Sequence, residues 1–338
     1  MVARSLFLLG WVFAALGAAA PVWADQKLII YTSARESLIG ELRAAFIKHH
    51  PDVEVEVRAG GAAKLMARIA AERDSGVYVA DLLWTGEVAD FYQLKSQGML
   101  LPYVPVEIKS VVNPFKDYDG SFTAVRLGLM GIAYNTRFVK EPPKSWHDTY
   151  KAGYKNAYGV VNPALSGNAA LAVGMLARAF GWGYFEALHA NGAKISNGTG
   201  ALADETATGD LLASMASDST VRDKVDKGAP LALAYPPEIL LLPSSVAIVK
   251  GSDSIREARL FIDFMLSREG QGILAEEGKL PVRTDVVLPP NFGLPTPAEA
   301  VKRAVTLDFP HLIADREGIV KRFAEIMQKE NGDKAEKR

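Results

Sequence analysis

The chain has 338 residues, a formal charge of -1 and no cysteine. Near-neutrality excludes the basic stripe that a nucleic-acid binder needs, and the missing cysteines exclude disulfides, thiol nucleophiles and thiolate metal sites. A single hydrophobic core stops growing at roughly 250–300 residues, so two lobes are expected.

The first elements concern export. Arg4 supplies a positive charge, Leu6 to Ala20 is apolar, and Val22-Trp23-Ala24 has the small-x-small form of a signal-peptide cleavage site. The apolar run falls short of the roughly 20 residues that span a bilayer comfortably. Export with cleavage after Ala24 is therefore expected, leaving a chain that starts at Asp25 with a formal charge of -2.

Lys27 to Tyr31 reads as a buried strand. The small polar loop Thr32-Ser33-Ala34-Arg35 leads into a helix with Leu38, Leu42, Ala45 and Phe46 at helical spacing, ended by Pro51. Val53 to Val57 alternates as a strand. Gly60-Gly61 precedes a helix through Leu65 and Ile69, Ala80 to Trp84 is a strand, and Val88 to Gln97 is a helix closed by Gly98. Such alternation of strand and helix indicates crossover units on a parallel or mixed sheet. Further strands are expected at Gly131–Tyr134, Gly159–Val161, Leu231–Tyr235 and Val246–Val249, with a helix from Asn168 to Ala179. Ser254-Ile255-Arg256-Glu257 has the form of a capping box. Thr296-Pro297-Ala298-Glu299 opens another helix with proline at its favoured first position. The charged tail 326–338 is expected to fray.

Five stretches carry a family resemblance: LIIYTSARESLIGELRAAFIKHHPDVEVEV (28–57), ADLLWTGEVADFYQLKSQGML (80–100), LMGIAYNT (129–136), PPKSWHDTY (142–150) and VAIVKGSDSIREARLFIDFMLSREGQ (246–271). Their order resembles the periplasmic solute-binding proteins of ATP-binding-cassette importers, in the branch that includes binders of ferric ion, organophosphonates and sugar phosphates. The resemblance implies an α/β fold of two lobes, type II-like, with mixed sheets flanked by helices and a ligand cleft between the lobes. It implies capture of a small solute without chemistry, no cofactor, and docking to an inner-membrane permease, with a monomer as the acting form. The lobes are expected at 25–125 plus about 247–286, and at about 126–246 plus 287–325.

In open α/β sheets, ligands sit outside the carboxyl ends of strands, in the loops that feed helices. Free N–H groups and the positive dipole end favour an anion there. The candidates are Ser33, Ala34 and Arg35 after the first strand, Gly60 and Gly61 after the second, and Thr85 and Gly86 after the third. Ser166 and Gly167 precede a helix of the second lobe, and Ser196 and Asn197 belong to another small polar loop. Ser33 and Ser166 are also readable as plain helix caps, and Gly60-Gly61 as a turn.

Two departures from the family bear on the ligand. Where ferric-ion binders present adjacent tyrosines, this chain reads Ser214-Met215-Ala216-Ser217-Asp218-Ser219. Arg126 stands where relatives carry an aromatic residue; it is either a solvated arginine or a bidentate fork for a carboxylate, phosphate or phosphonate. Arg35 reads more as solvated than as ligating, while Asp204, Glu205 and Asp218 are acceptors for an amine or hydroxyl. The expected ligand is thus a small anion, with a ferric ion or metal chelate on non-tyrosine ligands as the alternative. A sensor domain or an enzyme is a further alternative, but no G-x-S-x-G elbow or H-E-x-x-H zinc spacing occurs among the five histidines and their neighbours.

Overall fold

The computed structural model describes residues 26–328. The expected leader 1–24 and the tail residues 329–338 lie outside the described residues.

In chain order the strands are β1 (Gln26–Thr32), β2 (Val53–Ala59), β3 (Leu82–Thr85), β4 (Leu100–Leu101), β5 (Thr123–Arg126), β6 (Leu129–Asn135), β7 (Tyr158–Val161), β8 (Lys194–Ser196), β9 (Ala213–Ser217), β10 (Leu231–Ala234), β11 (Leu240–Leu241) and β12 (Ser244–Val249). The α-helices are α1 (Glu36–His49), α2 (Ala62–Ser75), α3 (Val88–Ser96), α4 (Gly167–Phe180), α5 (Gly183–Ala190), α6 (Thr199–Thr208), α7 (Asp218–Val225), α8 (Ile255–Leu266), α9 (Arg268–Glu276), α10 (Pro297–Lys302), α11 (Phe309–Ala314) and α12 (Arg316–Met327).

Two mixed sheets result. The first runs β2-β1-β3-β12-β4, with β5 also paired to β12; the second runs β10-β6-β9-β7-β8, with β11 also paired to β6. In the first sheet β1 is parallel to β2 and β3, as the crossovers through α1 and α2 require, and β12 runs antiparallel to β3. Leu28, Ile30 and Tyr31 of β1 are fully buried. Leu38, Leu42 and Phe46 of α1 turn one apolar face onto the core, as their helical spacing predicts. Phe46 meets Phe261 of α8 edge to face, with ring centroids 5.0 Å apart. Such a pair contributes about 0.5–1.5 kcal/mol beyond its buried area. In the second sheet α4 packs against α5, α11 and α12, and α6 lies on β9.

The chain passes between the sheets twice at close quarters. It leaves β5 through Leu127-Gly128 into β6, and returns from β11 through Leu242 into β12. The Leu242 N–H donates to the Gly128 carbonyl at 2.8 Å, so these two passes lie side by side. A Cβ on Gly128 would sit 2.2 Å from the Leu242 carbonyl oxygen, an approach no other residue allows.

Two local expectations met different outcomes. Thr296 and Glu299 form a reciprocal capping box. At Ser254 no such box forms: its hydroxyl donates instead to the Lys27 carbonyl at 2.7 Å, tying α8 to β1, and Glu257 pairs with Arg256. Strand β9, unrecognised in the sequence, occupies the middle of the second sheet.

Candidate functional site

A cavity of about 500 Å³ opens between the two sheets. Its wall includes Ser33, Ala34 and Arg35 after β1, Thr85 and Gly86 at the end of β3, Arg126, Ser166, Asn197 and Asp218. The fold thus brings together nine candidates from six separate places in the sequence. Gly60, Gly61, Gly167 and Ser196 are not on the wall. Gly61 is the N-cap of α2, and Ser196 donates to Glu205. Gly167 opens α4, where a Cβ would lie 3.0 Å from that of Ala89, so it serves the close approach of α3. Asp204 pairs with Lys224 and is also off the wall.

The helix starts on the cavity differ in their state. Ser166 caps α4, accepting from the Ala169 N–H at 3.0 Å, and the Glu87 carboxylate accepts from the Asn168 N–H at 2.9 Å. The donors of α4 are therefore largely taken by the chain itself. Asn168 also donates to the Gly86 carbonyl at 2.6 Å. By contrast, α1 and α6 begin at Arg35 and Gly198 without any side-chain cap, and both starts line the cavity. Their first N–H groups point a positive dipole end into the space. Ser33 is not a cap.

Arg126 is neither solvated nor free. Its residue is 8% exposed, and its Nη2 lies 2.8 and 3.0 Å from the two carboxylate oxygens of Asp218 at the start of α7. Its Nε is buried without a hydrogen-bond partner. Arg35 is held by three carboxylates, at 3.1 Å from Asp223, 3.3 Å from Asp226 and 3.0 Å from Glu277. Two of these belong to the α7 segment and one follows α9, so Arg35 ties elements of both sheets together.

The sequence reading missed Lys279. This residue is 3% exposed and lines the cavity, yet its Nζ makes no hydrogen bond or ion pair with any described residue. Burial draws its ammonium down to about 8; Arg126 and Arg35 act in the same direction, and Asp218 and Asp223 oppose them. Its position follows from the end of α9. Gly278, at φ 69°, donates to the Ala275 carbonyl while Lys279 N–H donates to that of Leu274, the two bonds of a Schellman turn. Beyond it, Leu280 accepts from the Leu127 N–H, and the buried Gln271 amide joins Val282 to Val125 and Met265. The strap that carries Lys279 is thus fixed on both sides. Nothing in the residue types around Lys279 signalled this, because it follows a helix instead of a strand.

Glu87 has the opposite character. Burial pushes its carboxyl up, the Asn168 N–H opposing, and Asp90 one turn further on is pushed up to about 6 by burial and by the charge of Glu87. Trp84 also lines the cavity; its indole N–H donates to the Ser244 hydroxyl at 3.0 Å, which donates on to the Thr85 carbonyl at 2.9 Å. Among the described residues no tyrosine or histidine is on the wall, and no three His, Asp or Glu side chains converge as a metal site.

The profile of the family described as Bacterial extracellular solute-binding protein matches residues 28–279. A putative 2-aminoethylphosphonate-binding periplasmic protein of Salmonella typhimurium is 27% identical over 296 residues, covering 80% of this chain and 82% of the relative. Among solved structures, the periplasmic binding protein AfuA of Actinobacillus pleuropneumoniae, with fructose-6-phosphate bound, superposes with a TM-score of 0.71 at 24% identity, over 90% of this chain and 99% of that one. Iron-bound HitA of Pseudomonas aeruginosa gives 0.71 at 23% identity, over 89% and 99%. At these identities the two structures show the two-lobe binding-protein fold and do not distinguish their ligands.

Proposed function

The chain belongs to the bacterial extracellular solute-binding protein family, and from that premise we propose that it captures a small oxyanion, a phosphonate or sugar phosphate, between its lobes and delivers it to the permease of an ATP-binding-cassette importer. The observation that carries this reading is Lys279, a lysine 3% exposed on the cavity wall with no carboxylate in contact with it. A charge taken out of water without a partner is costly, and a resident anion removes that cost. The uncapped starts of α1 and α6 supply further donors to the same space.

The wall favours a ligand that also bears an amine. Pairing Arg126 with Asp218 and Arg35 with Asp223 leaves Lys279 and Glu87 as the complementary charges. An aminophosphonate matches that pair, and it is the ligand after which the Salmonella relative is named. The chain acts in the periplasm as a monomer, after cleavage behind Ala24, and performs no chemistry on its ligand. The lobes in this reading are 25–125 plus about 247–286, and about 126–246 plus 287–325, with the ligand contacts drawn from Ser33, Ala34, Arg35, Thr85, Gly86, Arg126, Ser166, Asn197, Asp218 and Lys279.

A thermal-shift panel tests this, because a ligand that binds only the folded state raises the melting temperature by mass action. 2-Aminoethylphosphonate or a hexose phosphate should give the largest rise. A rise with ferric salts alone would defeat the reading.

A further inference from the structure

We infer that Lys279 makes the cleft select doubly charged phospho groups over singly charged sulfo and carboxyl groups, because it supplies an ammonium that no carboxylate of the described residues contacts. The inference rests on the oxyanion reading above and adds what decides among oxyanions.

Three cationic side chains line the cavity. Arg126 is matched by Asp218, and Arg35 by Asp223, Asp226 and Glu277. Lys279 alone of the three has no such match, although it is the most buried of them. The start of α1 opens into the same space, uncapped, at the head of a 14-residue helix. One negative charge on a ligand is accommodated by the dipole end and the N–H groups of that start. A second negative charge needs a full positive charge, and Lys279 provides it. A sulfonate or carboxylate satisfies the first requirement and leaves the ammonium buried and unpaired, which counts against the wrong ligand.

The chemistry of the ammonium supports this. Its proton is loosely held, since burial and the charges of Arg126 and Arg35 act against it while Asp218 and Asp223 act for it. An arriving dianion reverses that balance, so binding above about pH 8 draws a proton from solvent onto Nζ. No bond is made or broken apart from that N–H.

The test uses isosteric pairs that differ by one charge: 2-aminoethylphosphonate against taurine, and glucose 6-phosphate against glucose 6-sulfate. Calorimetry on the wild-type chain should favour the phospho member of one pair by about 10- to 100-fold, the worth of one charged hydrogen bond. Lys279→Met should bring that member down to the level of its sulfo analogue and leave the analogue within about twofold. Lys279→Arg should keep most of the preference. Because Lys279→Met removes an unpaired buried charge, the ligand-free melting temperature should not fall. The wild-type binding heat at about pH 8.5 should also vary with the ionisation enthalpy of the buffer, and that variation should vanish in Lys279→Met. An unchanged preference in Lys279→Met, or an equal loss of both members of the pair, overturns the inference while the oxyanion reading stands. A wild-type chain that binds no member of either pair overturns both.

Discussion

Arg126 and Asp218 form a buried pair that joins the end of β5 in the first sheet to the start of α7 in the second, with both carboxylate oxygens within 3.0 Å of one guanidinium nitrogen. Such a pair is weak as a source of net stability, but removing one member strands a charge and costs about 3–5 kcal/mol. Arg126→Met and Asp218→Asn should both lower the urea midpoint. The two should then part company. Asp218→Asn frees the guanidinium for an anion, so adding the phosphonate should recover part of the lost melting temperature in that variant and little in Arg126→Met. An equal response of the two variants would show that the pair does not face the ligand.

Arg35 should act on kinetics more than on stability. Its ion pairs with Asp223, Asp226 and Glu277 are about one-third exposed or less, and pairs of this kind contribute roughly 0–1 kcal/mol each. Because they tie elements of both sheets, their loss should ease opening of the cleft. Arg35→Ala, which removes all three pairs, is expected to shift the unfolding free energy by no more than about 3 kcal/mol while speeding ligand release several-fold in stopped-flow measurements. Added salt should speed release from the wild type and have less effect on the variant.

Stability should depend on pH through Asp90. Burial, reinforced by Glu87 and opposed by Arg316, pushes its carboxyl up to about 6, and Glu87 is raised as well. A carboxyl raised by folding favours the protonated fold. Its contribution is complete below its ordinary value near 4 and is lost as pH climbs through about 6. Between about pH 4 and 6 the Asp90 contribution should fall by up to about 3 kcal/mol, the free-energy equivalent of its shift. Asp90→Asn should flatten that part of a urea-denaturation series and raise the midpoint at neutral pH. A variant curve parallel to the wild type would remove Asp90 from this role.

Gly128 should be intolerant of any side chain. The 2.2 Å approach of the Leu242 carbonyl to its Cβ position involves backbone, which cannot swing away. Gly128→Ala must part the two adjacent passes between the sheets and break the bond from the Leu242 N–H. We expect a loss of about 2 kcal/mol or more, in the range of overpacked cores, read as a lowered melting temperature. Gly153→Ala, where nothing lies within 4 Å, is the control.

How far the sequence could be read follows from what positions each part. Strand β1 and helix α1 carry their own signals, an unbroken apolar run and an apolar face at helical spacing, so both were legible. Strand β9 has neither. Ala213-Ser214-Met215-Ala216-Ser217 is small and unbranched, and its strand form comes from β6 and β7 on either side. At Ser254 the local pattern was right for a capping box, but the Lys27 carbonyl, remote in sequence, took the hydroxyl. The same division holds at the cavity. Ser33 and Asn197 lie in loops after strands and Thr85 ends one, where topology puts ligands. Lys279 depends on the turn at Gly278 and the clamp of Gln271, both set by tertiary packing. Arg126 was noticed for its charge, while its partner Asp218 was visible only as a separate acceptor.

The bond from Trp84 to Ser244 has an optical consequence. Trp84 is one of three tryptophans among the described residues, with Trp146 and Trp182, and it is the one on the cavity wall. Its indole is fastened through Ser244 to the strand that receives the chain back from the second sheet. Under the proposed function, ligand entry alters the polarity on one side of the ring, and a rotation of the lobes acts on the other through Ser244. The molecule therefore carries its own fluorophore at the point where occupancy and motion meet, and emission excited at the indole band should report both without an attached dye.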